Sequence, residues 1–432
     1  MANSEPHMAN RADKPPAAAG SPLLRRSFLR ISGSGLLAAG LAGPLTACGG
    51  GDGGSSGKNL VWWDYLVEDA RQPGIKALIA DIEKSVPGLK ITRRTFPYAE
   101  LEPAIIKGAA SGDLPDLAIV DNTSMNSLAP QGLLTDLTDR VKQWGQADAY
   151  YKGPWSSGVI DGKTYSVPNN ANCLALYYNT ELLEKAGIEP PKTWDELSAA
   201  ARKLTKGSTF GLAMSAIKTE EGVFQLLPFL WSAGADLDTF ATGGATALGY
   251  LGELVRAGAL SKQCVGWTQQ DVNTQFTSGR AAMQINGPWQ LPGLKQQSTV
   301  KWGVVPLPVD KEPASCLGGE NWVILGTSGQ ADQAWRAIEH SQRKKPLAAY
   351  LGSVGLLPAR SDMADSGDWA TDPTLKVFVR EFANARPRSY GEHYPQMSKA
   401  MAVALQATLT GSSSPGAAAK KAADAIAPKL SK

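Results

Sequence analysis

Hydrophobic and polar positions along residues 59–121 alternate between two periods. Residues 59–65 (NLVWWDY) are a compact apolar and aromatic run that suits a strand. Ile75, Leu78, Ile79 and Ile82 then recur at helical spacing, until Pro87-Gly88 ends the pattern. Residues 89–95 read as a second strand and residues 101–111 as a second helix, closed by Gly112. Residues 114–120 are apolar enough to be buried on both faces and run out at Asp121-Asn122. This β-α-β-α-β order predicts a parallel sheet with right-handed crossovers. In such sheets ligands bind beyond the carboxyl ends of the strands. Trp63, Asp64, Asp121 and Asn122 stand at two of those ends and are candidates for one wall of a cleft.

Residues 162–179 (GKTYSVPNNANCLALYYN) carry the next change of pattern. Residues 164–167 suit a short strand, and Pro168, without an N–H, stops its pairing. Asn169, Asn170 and Asn172 follow, then a buried strand at 174–178 and a helix start at Asn179. We read this as a crossing between two lobes, with amide donors and acceptors in the joint where a polyhydroxyl ligand could meet them. Farther on, Thr193 and Glu196 have capping-box spacing ahead of the apolar stripe Trp194, Leu197, Ala201 and Leu204. Trp194 is therefore expected in the core. Helices are expected at 220–231, 271–276, 331–343, 347–351 and 415–432. Strands are expected at 281–285, leading into Asn286-Gly287-Pro288-Trp289, at 301–306, and over the apolar run 322–325. Met397, Met401, Ala404, Leu405 and Leu409 mark one more helical face.

Length and composition add a leader and remove several functions. The chain has 432 residues, enough for two domains. Arg25-Arg26-Ser27-Phe28-Leu29-Arg30 is a twin-arginine pattern, followed by a weakly apolar, Gly/Ala-rich run to Ala47. That run is too short for a comfortable membrane span. Basic residues before an apolar run and a small residue make an export signal. Leu45-Thr46-Ala47-Cys48 resembles a lipobox, in which Cys48 would carry lipid, and residues 49–57 (GGGDGGSSG) would be a tether. The formal charge of +3 is the excess of Arg11, Lys14, Arg25, Arg26 and Arg30 over Glu5 and Asp13. The remainder is formally neutral, so no basic field is left for nucleic acid. Cys173, Cys264 and Cys316 allow one disulfide at most, and buried unpaired thiols are the favoured expectation. With no CxxC pair and no zinc spacing, no metal or cofactor is expected.

Several ordered stretches resemble the family 1 extracellular solute-binding proteins of ABC importers, the group that contains maltose-binding protein. They are residues 112–121 (GDLPDLAIVD), 165–197 (YSVPNNANCLALYYNTELLEKAGIEPPKTWDEL), 278–289 (SGRAAMQINGPW), 302–308 (WGVVPLP), 318–324 (GGENWVI) and 355–360 (GLLPAR). The resemblance implies an α/β fold of two lobes, each a mainly parallel sheet flanked by helices, hinged near Pro168 and Cys316 around a bound sugar. Residues 58–167 with about 316–365 would form one lobe, and residues 168–315 with about 366–432 the other. Behind the leader (1–47) and tether (48–57), the protein would sit on the outer face of the cytoplasmic membrane by its lipid alone. It would act as a monomer, handing a carbohydrate to permease subunits driven by a separate ATPase.

In that setting Trp289, following Gly-Pro, becomes a stacking platform for sugar C–H faces. Asp64, Asp121 and Glu221 would accept from hydroxyls. Asn122, Asn169, Asn170 and Asn172 would supply paired donors and acceptors. Gly319 would let backbone approach the ligand, beside Glu320 and Asn321. The chain departs from maltose-binding protein after the run Pro395–Ser398, where Met401 stands in place of a stacking Trp. Arg386, Arg388 and Tyr390 could compensate, and an arginine there would also suit an acidic or phosphorylated ligand.

Two other readings share these residues. The same fold could take a glycerol phosphodiester or another small polar solute. A secreted glycosidase would need two carboxylates flanking a bond, which Asp64 and Glu221 could imitate. Ser298–Lys301 and Ser341–Lys344 match S-x-x-K, but no KTG follows. His340 and His393 are in no triad pattern, so no catalysis is expected.

Overall fold

The computed structural model describes residues 58–430, so the leader, the lipobox with Cys48 and the tether lie outside it. Its first sheet has five strands in the order Leu89–Thr95, Lys58–Asp64, Leu117–Asp121, Glu320–Ile324 and Ser166–Pro168. The first three are parallel, joined through the helices Gln72–Ser85 and Tyr98–Ser111. The last two run antiparallel to their neighbours. Side chains alternate across the sheet. Trp62 goes to one face, where it meets Trp322 with ring centroids 4.9 Å apart. Trp63 goes to the other, against Phe96 at 4.8 Å.

The second sheet has the order Trp302–Val305, Ala175–Asn179, Ala281–Asn286 and Phe210–Ala213. Only the last pair is parallel. Both sheets are therefore mixed, which corrects the expectation of mainly parallel ones. The reason is the course of the chain. Ala175–Asn179 runs out from the joint and Ala281–Asn286 runs back to it, with Ala175 paired to Asn286. That pairing sets the start of one strand beside the end of the other, so Asn172 and Trp289 reach the same edge.

Thr193 caps the helix Trp194–Leu204 as expected, accepting from Glu196 N at 3.2 Å, but the Glu196 carboxylate takes the Lys192 N–H instead of the Thr193 one. The helices Ala245–Arg256 and Pro373–Phe382 were not foreseen. Helix Glu220–Ser232 is buried nearly throughout beneath the long helix Tyr394–Thr410. The last helix stops at Ile426, before a short 3-10 turn.

Segments at and beside the joint are bonded sideways to one another. Ser315–Cys316 pairs in parallel with Ala385–Arg386. Asn172 and Gly318 exchange backbone bonds of 3.0 and 2.9 Å. Ser315 Oγ accepts from Leu174 N and donates to Leu174 O. Cys173, Cys264 and Cys316 are all buried and free. Among the described residues, no helix is long and apolar enough to cross a membrane and no acid, Cys or His cluster could hold a metal.

Candidate functional site

A cavity of about 230 Å³ opens where the first sheet faces the second half of the chain. Tyr65 enters it one residue past the first strand, Asp121 from the end of the third and Glu320 from the start of Glu320–Ile324. Tyr98, Arg71 and Glu68 complete that wall. The opposite wall carries Glu221 and Phe224 on one helix, Thr268 and Gln269 where the helix Gln269–Thr277 begins, and Trp289 and Gln290 after the returning strand. Two further cavities share walls with this one. One shares Glu68, Arg71, Trp289 and Gln290; the other shares Tyr65, Tyr98 and Asp121. The opening is thus a longer cleft with a central chamber.

Two aromatic pairs line the chamber. Tyr65 and Tyr98 meet edge to face with centroids 4.9 Å apart; Phe224 and Trp289 tilt together at 6.2 Å. The indole of Trp289 folds back over Gly287, where a β-carbon would lie 1.9 Å from the ring. Only glycine allows that ring position. Between the rings stand carboxylates. Glu320 Oε1 accepts from Tyr65 OH at 2.8 Å, while its buried Oε2 has no hydrogen-bond partner in the protein. Glu221 Oε2 accepts from Gln269 N at 2.8 Å. Burial raises the pKa of both carboxyls. Arg71 donates to Glu68 at 3.1 Å, and its Nε and Nη2, also buried, are unpartnered. Such orphaned groups are costly unless water or ligand completes them.

Arg388 is a clasp at the back of the chamber. Its guanidinium reaches Glu220 at 2.6 Å, Asn122 Oδ1 at 2.8 Å and Asp121 at 3.2 Å, and lies over the Phe224 ring at 4.7 Å. Burial opposes its charge, but Asp121 and Glu220 more than offset that and raise its pKa. Tyr394 OH and Ser398 Oγ also donate to Glu220.

Residues 77–377 match the family described as "Bacterial extracellular solute-binding protein". The chain belongs to this family. The solute-binding protein is 25% identical over 389 residues to the maltodextrin-binding protein MdxE of Bacillus subtilis (strain 168), across 84% of this chain and 88% of that one. Among solved structures, it is similar to an ABC transporter solute-binding protein of Thermotoga lettingae TMO bound with α-D-tagatose. The TM-score there is 0.81 at 27% identity, covering 87% of this chain and all of that one. It is also similar to the GacH receptor of Streptomyces glaucescens GLA.O, solved unliganded and with acarbose. The TM-score is 0.79 at 25% identity, covering 86% of this chain and 98% of that one. The fold of the solute-binding protein is accordingly two-lobed.

Of the residues singled out in its sequence, Asp121, Asn172, Glu221, Trp289, Glu320 and Arg388 meet at the chamber. Trp63 does not; it is 3% exposed, with Arg94 over its outer face. Asp64 is fully buried, held by Arg93 through two 2.6 Å bonds. Tyr390 bonds Asp236 and Trp231 in the second lobe, away from the chamber. Arg386 lies over the Trp231 ring and pairs with Glu312. Asn122 supports Arg388 from behind. Asn321 points to Ser157. Asn169 and Asn170 bond each other, both buried beneath the joint beside Tyr350. Gly319 adopts φ 147°, and a β-carbon there would meet the Asn170 carbonyl, but Gly318 is the glycine that lines the chamber. Tyr65, Tyr98, Arg71, Glu68, Phe224 and Gln269 were missed. For Tyr65 the signal was present, as the first residue beyond a strand end; the others lie in the loop at Glu68 or at helix positions that no pattern marks.

Proposed function

We propose that the protein captures a di- or oligosaccharide in this cleft and hands it unaltered to a membrane permease with a separate ATPase. The carrying observation is the chamber itself: four rings, suited to sugar C–H faces, alternate with carboxylate, guanidinium and amide groups suited to hydroxyls. The maltodextrin-binding relative and the tagatose- and acarbose-bound neighbours support a carbohydrate. The lobes would divide as residues 58–167 with about 316–365 against 168–315 with about 366–432, closing by a hinge motion. Export by the twin-arginine leader, a lipid at Cys48 and action as a monomer belong to the same proposal.

An anionic cargo such as a glycerol phosphodiester fits poorly. Arg388, the residue that suggested it, is already engaged by two carboxylates and an amide. The glycosidase reading loses its pair, because Asp64 is locked under Arg93 while Glu221 faces the chamber. The test is calorimetry over neutral mono- to tetrasaccharides and sugar phosphates, with product analysis after long incubation. Saturable binding of glycosides without turnover is expected. Preferential binding of the phosphates, or release of free sugar, would sink the reading.

A further inference from the structure

The chamber is more acidic than a neutral guest requires. Its lining holds four carboxylates (Glu68, Asp121, Glu221, Glu320) against two guanidiniums (Arg71, Arg388). Arg388 is matched to Glu220 and Asp121, while Arg71 pairs with Glu68 and its charge also acts on Glu320. That leaves Glu221 without a cation and Glu320 with one oxygen unpartnered. Glu221 accepts one backbone N–H, and the charged groups acting on it are acidic, Asp271 and Glu68. Glu320 is 7% exposed, and Oε2 has no protein donor on the same chamber wall. The Phe224–Trp289 pair lines the chamber with Glu221. A carboxylate beside aromatic faces in a desolvated chamber is a setting that attracts an ammonium group, through charge and the ring quadrupole together.

We propose that the preferred guest is a basic glycoside, with its protonated amine seated between Glu221 and the Phe224–Trp289 pair and a second donor completed by Glu320. This rests on the carbohydrate reading and narrows it. A neutral sugar would leave Glu221 with one backbone N–H and hydroxyls as its donors, and no cation. At Glu221 an amine supplies a counter-charge where the protein supplies none.

Matched pairs test this on the full chain by calorimetry at about pH 6, where an amine of pKa near 8 is protonated. The pairs are glucosamine with glucose and β-1,4-diglucosamine with cellobiose. In at least one pair the basic member should bind ~10-fold or more tighter, with a preference that shrinks as salt rises. Glu221→Gln should abolish the preference, with the basic member losing ~10-fold or more affinity beyond whatever the neutral member loses. Should that variant misfold, the salt dependence on the native chain still decides. Equal or tighter binding of neutral members, or a preference untouched by both salt and Glu221→Gln, overturns the basic-glycoside inference and leaves the carbohydrate reading standing. Absence of binding by every glycoside overturns both.

Discussion

Arg388 Nη1 and Glu220 Oε1 lie 2.6 Å apart, with the arginine side chain 1% exposed. Because Glu220 starts a helix of the second half while Asp121 ends a strand of the first sheet, this one guanidinium joins both sides of the chamber. Removing one member of a buried ion pair strands its partners, at about 3–5 kcal/mol. Arg388→Met should lose that much stability in urea unfolding. Adding Glu220→Gln should recover part of it. A loss under about 1 kcal/mol would show that the clasp is not holding the halves.

Trp289 is half-buried and needs Gly287 beneath it. Trp289→Ala should weaken sugar binding ~10- to 100-fold in calorimetry, in line with the loss of an aromatic anchor. The unliganded melting curve should move little. Gly287→Ala should weaken binding in the same direction by displacing the ring. An unchanged Kd in both variants would remove the indole from the binding surface.

Gly319 holds a backbone geometry that other residues rarely adopt, and an added β-carbon would sit 2.6 Å from the Asn170 carbonyl. Gly319→Ala should cost about 1–3 kcal/mol of stability in urea unfolding. A cost near zero would mean that the joint yields easily there.

Glu381 is 2% exposed, and burial lifts its pKa from 4.5 to about 7. The folded state therefore holds this proton more tightly than the unfolded chain. The stabilisation is complete below pH 4.5 and fades as pH rises through about 7. Glu381→Gln keeps the shape and removes the titration. It should gain up to ~3 kcal/mol over the native chain at pH 8 and nothing at pH 4, read from urea unfolding at the two pH values. Parallel curves for the two chains would contradict this.

All three described thiols are buried, and burial pushes the pKa of each up, that of Cys264 to about 12. Native protein should not react with a maleimide at these positions, whereas urea-unfolded protein should react at all three, as counted by mass spectrometry.

The first three strands and their helices were legible because each has a clean period and a Gly or Pro stop. The mixed pairing was not, since strand direction depends on where the chain leaves and re-enters a lobe. Strand ends pointed to the correct region but not always to the right residue: Trp63 is still inside the strand and packs in the core, and Tyr65, past the strand end, is the side chain that reaches the chamber. Asp64 shows the other limit. A carboxylate at a strand end looks the same in sequence whether it meets a ligand or, as here, Arg93 from the next strand. Asp121, Glu221 and Trp289 were found because a strand end or a family motif marked them. Phe224 and Gln269 were lost among ordinary helical positions.

The bonds that tie the segments around Asn172, Ser315–Cys316 and Ala385–Arg386 edge to edge have a mechanical consequence. Separate strings would let one half of the molecule wobble in any direction. Laced together, they form a flat strap that bends across its width and resists twisting. The mouth of the molecule should therefore swing open along one arc, and the stiffness of that strap, as well as the grip on the guest, sets how soon the guest departs.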